Sequence, residues 1–288
     1  MVRNIGFAVL KIVTYIVMMA LLSSAVIVPL GALSNPAFTQ SVAFRMLGDG
    51  ALALASLIVL IAMARFIDKR ALSSIGFALA RFVDILTGTI VGCTILAAPI
   101  GLLLVTAAAR YAPDLAGFSA AGLAMALVAC LINVIAQELL FRGYIFQELW
   151  AKFGAWAATI VTTLLFVAAH WNAVTNGTAG LVAAANIFIA SFLLSLAYVR
   201  TGSLWLPIGI HLGWNGLQGP VLGINVTGHD LSGGRWSVFD FPGDALWTGG
   251  AMGVEGGLAG LIGPAIGIVI VAILFKQQPK PDFARRGK

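Results

Sequence analysis

The sequence predicts an all-α fold: a polytopic helical membrane protein of about eight transmembrane helices in a single domain. Three observations lead there. Hydrophobic residues make up 60% of the 288 and charged residues only 10%, where a soluble domain carries about 25% charged. Mean hydropathy is +1.00. Apolar runs of roughly 20 residues recur, the length that crosses a hydrocarbon core of about 30 Å as a helix. Alternating barrel-type segments are absent, so the backbone polar groups must be satisfied within helices.

The first span covers about 9–33; Arg3 and Lys11 precede its apolar run, which is too long for the core of a cleaved signal peptide. A polar loop with Asn35-Pro36 leads to a second span, about 50–67, that ends in Arg65, Asp68, Lys69 and Arg70. A linker, 71–77, runs on to Arg81 and the third span, about 83–108. The fourth and fifth spans, about 120–149 and 155–171, precede a sixth at about 179–199 and a seventh at about 203–224. The Gly-rich stretch 226–257 holds Trp236, Phe239, Phe241 and Trp247; it reads as a polar loop, with His229 and Asp230 solvated. A last span, about 258–275, and a basic tail close the chain. The expected organisation is two N-terminal helices (1–69), a core (70–225), and a loop, last helix and tail (226–288).

The net charge of +6 sits at helix ends, which argues against a nucleic-acid partner and for the lipid bilayer. With a cytoplasmic N-terminus, thirteen of the 17 Lys and Arg fall on the cytoplasmic side. Only Arg45, Arg110 and Arg235 fall on the other, and Arg142 lies within the membrane. The positive-inside rule then places both termini in the cytoplasm, in a multi-pass protein of a bacterial-type plasma (inner) membrane. Cys93 and Cys130 lie in apolar segments without metal or redox spacing and read as packing residues.

Three polar groups interrupt the apolar spans. Residues 120–136 carry no charge, yet Gln137-Glu138 and Arg142 follow at once. An ionisable intramembrane residue is costly and marks a candidate site; Glu138 and Arg142, at i and i+4, share a helical face and can neutralise each other. Phe166 with His170, and His211 with Asn215, repeat the four-residue spacing in the fifth and seventh spans. At a rise of about 1.5 Å per residue, all fall at interior depths. Gly143, Gly209, Gly213 and Gly216 permit close helix contact. Glu138, Arg142, His170, His211 and Asn215 are therefore expected around one buried cavity. A structural ion pair with histidine glue, and a proton relay in a transporter, are the competing readings; the relay calls for inverted repeats, which the sequence lacks.

The motifs Gln137-Glu138-x-x-x-Arg142, Phe166-x-x-x-His170 and His211-x-x-x-Asn215 resemble those of the CPBP family, the intramembrane CAAX prenyl protease and bacteriocin-processing group. Ser74-Ile75-Gly76-Phe77 before the third span resembles a further family feature, and the likeness runs over about 70–225. The resemblance implies an intramembrane endopeptidase that cuts a hydrophobic or lipidated, prenylated-type peptide. In that reading Glu138 and His170 activate a water, and His211 and Asn215 hold the oxyanion. Gln137, Arg142 and Phe166 support them. Glu138, His170 and His211 also make up a catalytic zinc-type set, so zinc or another divalent metal is the implied cofactor. One position departs: the family's first glutamate is Gln137 here, and glutamine cannot ionise. That departure supplies the alternative, a catalytically impaired relative acting as a binding, immunity or scaffold protein.

Overall fold

A computed structural model describes residues 2–113, 115–175, 177–231 and 237–276. The protein is an all-α membrane protein. Its helices are α1 (Val2–Leu33), α2 (Pro36–Thr39), α3 (Val42–Ala62), α4 (Asp84–Val105), α5 (Ala120–Glu138), α6 (Phe146–Ala169), α7 (Trp171–Val174), α8 (Gly177–Thr201), α9 (Trp205–Gly216), α10 (Ala245–Thr248) and α11 (Ile262–Leu274). Among the described residues, five helical stretches are long and apolar enough to cross a membrane. One of these, Ala120–Ala169, runs 50 residues and is broken at Gly154, whose φ of 86° suits a residue without Cβ. Its two limbs match the expected fourth and fifth spans. The seventh and eighth fall on shorter pieces, α9 with the π-helical turn Leu217–Val221 and the apolar stretch Leu258–Leu274.

Local chemistry starts several of these helices. Ser41 accepts from Phe44 N and Ser119 from Gly122 N, each supplying an N-cap acceptor for an orphan amide. The Ser41 cap starts α3 eight residues before the expected span, and so brings Asp49 into the helix. Along α1, Ala8, Lys11, Tyr15 and Met19 form a buried stripe at helical spacing, while Val9, Leu21 and Val28 stay exposed.

The tightest crossing is α4 on α9. A Cβ on Gly88 would stand 2.5 Å from the Leu206 carbonyl, and Gly92, Gly209 and Gly213 meet facing backbone as closely. The anticipated glycines of α9 thus do bring two backbones together, with the 88/92 pair as partner. This contact fixes the rotation of α9 and hence the direction of His211.

At the end of the bundle where α1 begins, Lys11, Arg70 and Glu148 are buried, while Arg65 and Lys69 are exposed. Lys11 pairs with Asp68 at 2.7 Å and with Glu148 at 2.5 Å, and Arg70 donates to Gln147 Oε1 at 2.9 Å. The 71–78 linker is tied down beside them: Gln147 Nε2 donates to the Ile75 carbonyl and Trp205 Nε1 to that of Ala78.

The segment read as a polar loop is more structured than expected. Ser237–Asp240 (β2) pairs antiparallel with Arg110–Pro113 (β1), in the register Arg110 with Asp240. Met252, Val254 and Glu255 are buried, because the chain folds back onto α8 and α9 instead of staying in solvent. His229 and Asp230 are exposed, as expected. Arg235, Trp236 and the basic tail from 277 onward lie outside the described residues.

Candidate active site

The site begins where α5 changes pitch. After Glu138 the chain winds as a π-helix over Leu139–Ile145, a local widening often found at functional sites. Glu138 and Arg142 are both fully buried and pair at 3.1 Å. The Arg142 guanidinium also donates to Ser191 Oγ at 2.6 Å and Ser191 O at 3.0 Å, and lies 4.7 Å over the Phe166 ring. One residue therefore ties the motif to α8 and α6 through charge-assisted bonds and a cation–π contact.

The same Glu138 Oε1 lies 2.9 Å from His211 Nδ1. A carboxylate accepts, so Nδ1–H is the donor, which leaves His211 Nε2 with a free lone pair. His170 closes α6, and its Nδ1 lies 2.7 Å from the Phe166 carbonyl. A carbonyl likewise only accepts, so His170 is held in the same tautomer. The two imidazoles flank one ring, with centroids 4.6 Å (His170) and 6.2 Å (His211) from Phe166.

Beside them is a cavity of about 1040 Å³, whose lining includes Gln137, His170, His211 and Asn215. The five expected residues are thus gathered in one place but divide into two layers. His170, His211 and Asn215 face the cavity, whereas Glu138 and Arg142 sit behind His211 with no exposure. Gln137, at the departing motif position, is on the wall.

Sequence reading passed over Asp49, Asn133 and Glu255, which also line the wall. Asn133 donates to Asp49 at 3.1 Å and accepts from Gln137 at 2.7 Å. Glu255 lines the cavity from the refolded loop, where it accepts from Trp214 Nε1 at 3.0 Å and Thr227 N at 2.5 Å. Burial pushes the Glu255 carboxyl above its ordinary range, against the opposing pull of hydrogen bonds from Thr227, Trp214 and Gln218. Asn133 was legible as one of the few polar residues in its span, four before Gln137.

A catalytic zinc takes three protein ligands and an open position. Here Glu138 is a partner to His211 rather than a cavity-facing donor, and among the described residues no group of three His, Cys, Asp or Glu is placed to hold an ion. The donor set does not fit the implied metal.

Residues 119–217 match the Rce1-like family model of type II CAAX prenyl endopeptidases. The likeness carried by the three motifs is borne out on this segment, which runs from the Ser119 cap through α9. The matched segment holds every expected site residue, while Asp49 and Glu255 lie outside it. An uncharacterised 24.3 kDa protein of Escherichia coli is 32% identical over 78 residues, 26% of this chain and 34% of that protein. The chain thus spans about a third of the length of that curated relative. No solved structure matches the chain.

Proposed function

We propose that this cavity is the active site of an intramembrane endopeptidase of the CAAX-protease type, acting on a hydrophobic or lipidated peptide held in the bilayer. The observation that carries the reading is the pair of imidazoles beside a buried cavity, each with Nδ1 held by an acceptor, which leaves the ring's lone pair on Nε2. His211 Nε2 takes a proton from water, and the Glu138 carboxylate behind it stabilises the imidazolium that forms. His170 Nε2 accepts the water's other proton as a hydrogen bond and aims the oxygen. That oxygen bonds to the scissile carbonyl carbon, and the Asn215 amide donates to the oxyanion. As the C–N bond breaks, His211 returns its proton to the departing amine, leaving a carboxylic acid and a free amine.

The Glu138 role differs from the direct base the resemblance implied, because its carboxylate has no exposure to the cavity. Replacement of the family glutamate by Gln137 favours a second reading, in which the same cavity binds a peptide without cutting it. The peptide enters, in our reading, from the non-cytoplasmic face. The exposed wall residues Arg45, Trp171, Asn172 and His229 all belong to segments that the charge rule puts on that side.

The test is cleavage of hydrophobic-tailed peptides by purified protein in detergent, read by mass spectrometry. His211→Ala should abolish cleavage, and Asn215→Ala should slow it by roughly 10²–10³, as for loss of one oxyanion donor. Wild-type protein that binds such peptides and never cuts them would establish the second reading instead.

A further inference from the structure

Asp49, Asn133 and Gln137 form a hydrogen-bonded chain along the cavity wall, and its direction follows from chemistry. An ionised aspartate only accepts, so Asn133 turns its Nδ2 toward Asp49 Oδ2, at 3.1 Å. Its Oδ1 then faces Gln137, and Gln137 answers with Nε2, at 2.7 Å. What remains is Gln137 Oε1, which is buried and has no hydrogen-bond partner among the described residues. A buried acceptor left unmet is costly, and one carried by a residue that lines a cavity points to a ligand that brings a donor.

We propose that Asp49 is a positioning residue of this site: through Asn133 it fixes the Gln137 amide so that Oε1 accepts a backbone N–H of the bound peptide. The proposal rests on the peptidase reading. Peptide amides are the obligatory donors of such a substrate, and both imidazoles have their Nδ1–H groups committed elsewhere. A carboxylate already stands at the far end of this chain of side chains, at Asp49, and the amide at 137 is the form compatible with it. A carboxylate at 137 would meet Asn133 Oδ1 with a second acceptor, because Asp49 prevents Asn133 from turning round.

Reversing the chain tests this. In Gln137→Glu two acceptors face each other; in Asp49→Asn the direction is no longer fixed. In the double variant the whole chain can reverse. The new amide at position 49 then donates to Asn133 Oδ1, and Asn133 Nδ2 donates to the new carboxylate at position 137. The measurements are Tm in detergent, and kcat and KM for peptide cleavage, for all four proteins. Asp49→Asn should raise KM about tenfold with kcat nearly unchanged, since a uniform binding contact is weakened. Gln137→Glu should lower Tm, and the double variant should recover both Tm and KM toward wild type. Additive losses in the double variant, or an Asp49→Asn protein with wild-type KM, would overturn the proposal. Tm values are read without turnover: coupling in Tm with no cleavage by any of the four proteins would remove the peptidase reading and leave the relay standing.

Discussion

Arg142→Ala probes the core of the site most severely. The guanidinium has no exposure and makes three hydrogen bonds, one to Glu138 and two to Ser191, besides its contact with the Phe166 face. Removing it leaves the Glu138 carboxylate in an apolar interior with only His211 as a partner. Stranding one member of a buried ion pair costs about 3–5 kcal/mol. At about 2–4 °C per kcal/mol for chains approaching this size, the melting temperature should fall by roughly 6–20 °C. The assay is thermal unfolding in detergent, with size-exclusion profiles to confirm that the starting material is folded. Adding Glu138→Gln should recover part of the loss, because the stranded charge is gone, but not the activity, because the imidazolium of His211 then lacks its counter-charge. An Arg142→Ala protein that melts within about a degree of wild type would refute the buried pair and with it the two-layered site.

Three further outcomes are expected. A strong chelator should leave peptide cleavage unchanged, since among the described residues no three His, Cys, Asp or Glu are grouped to hold an ion; loss of activity restored by zinc would show that a metal completes the set. Glu255 has a carboxyl raised by burial, so the unfolded chain loses its proton first, near the ordinary 4.5. Its contribution is full below that pH and is lost as pH rises through the higher folded value. Wild-type Tm should therefore decline across that window relative to Glu255→Gln, and parallel curves would show that Glu255 is not desolvated. In a background lacking Cys93 and Cys130, an impermeant maleimide should label Asn172→Cys but not Ser73→Cys in intact cells. The converse pattern would put the mouth on the cytoplasmic side.

Much of the helical framework was legible because an apolar run of bilayer length has few alternatives. The 149–155 boundary falls at Gly154, and the α9 glycines do mark a backbone contact. What escaped depended on direction and long-range contact. Gln137 and Glu138 are neighbours about 100° apart on a helix, and which of them faces the cavity is decided by where α9 packs, through glycines on α4 that carried no chemical signal of their own. Asp49 was missed because the apolar run begins at Ala51, although the helix begins at the Ser41 cap. Glu255 looked like loop, and its burial is set by Trp214, 41 residues away. The His–x–x–x–Asn and Phe–x–x–x–His spacings were readable because residues four apart lie on one face of a helix.

Whether this cavity hydrolyses peptide bonds can be read from the fate of the water oxygen. Purified protein would be incubated with a hydrophobic-tailed peptide in water enriched in oxygen-18, and the fragments weighed. The wild-type protein should yield an N-terminal fragment with one heavy oxygen in its new carboxylate, and His170→Ala and His211→Ala should yield none. Heavy-oxygen product that persists undiminished in both histidine variants would contradict the assignment of this cavity as the catalytic site.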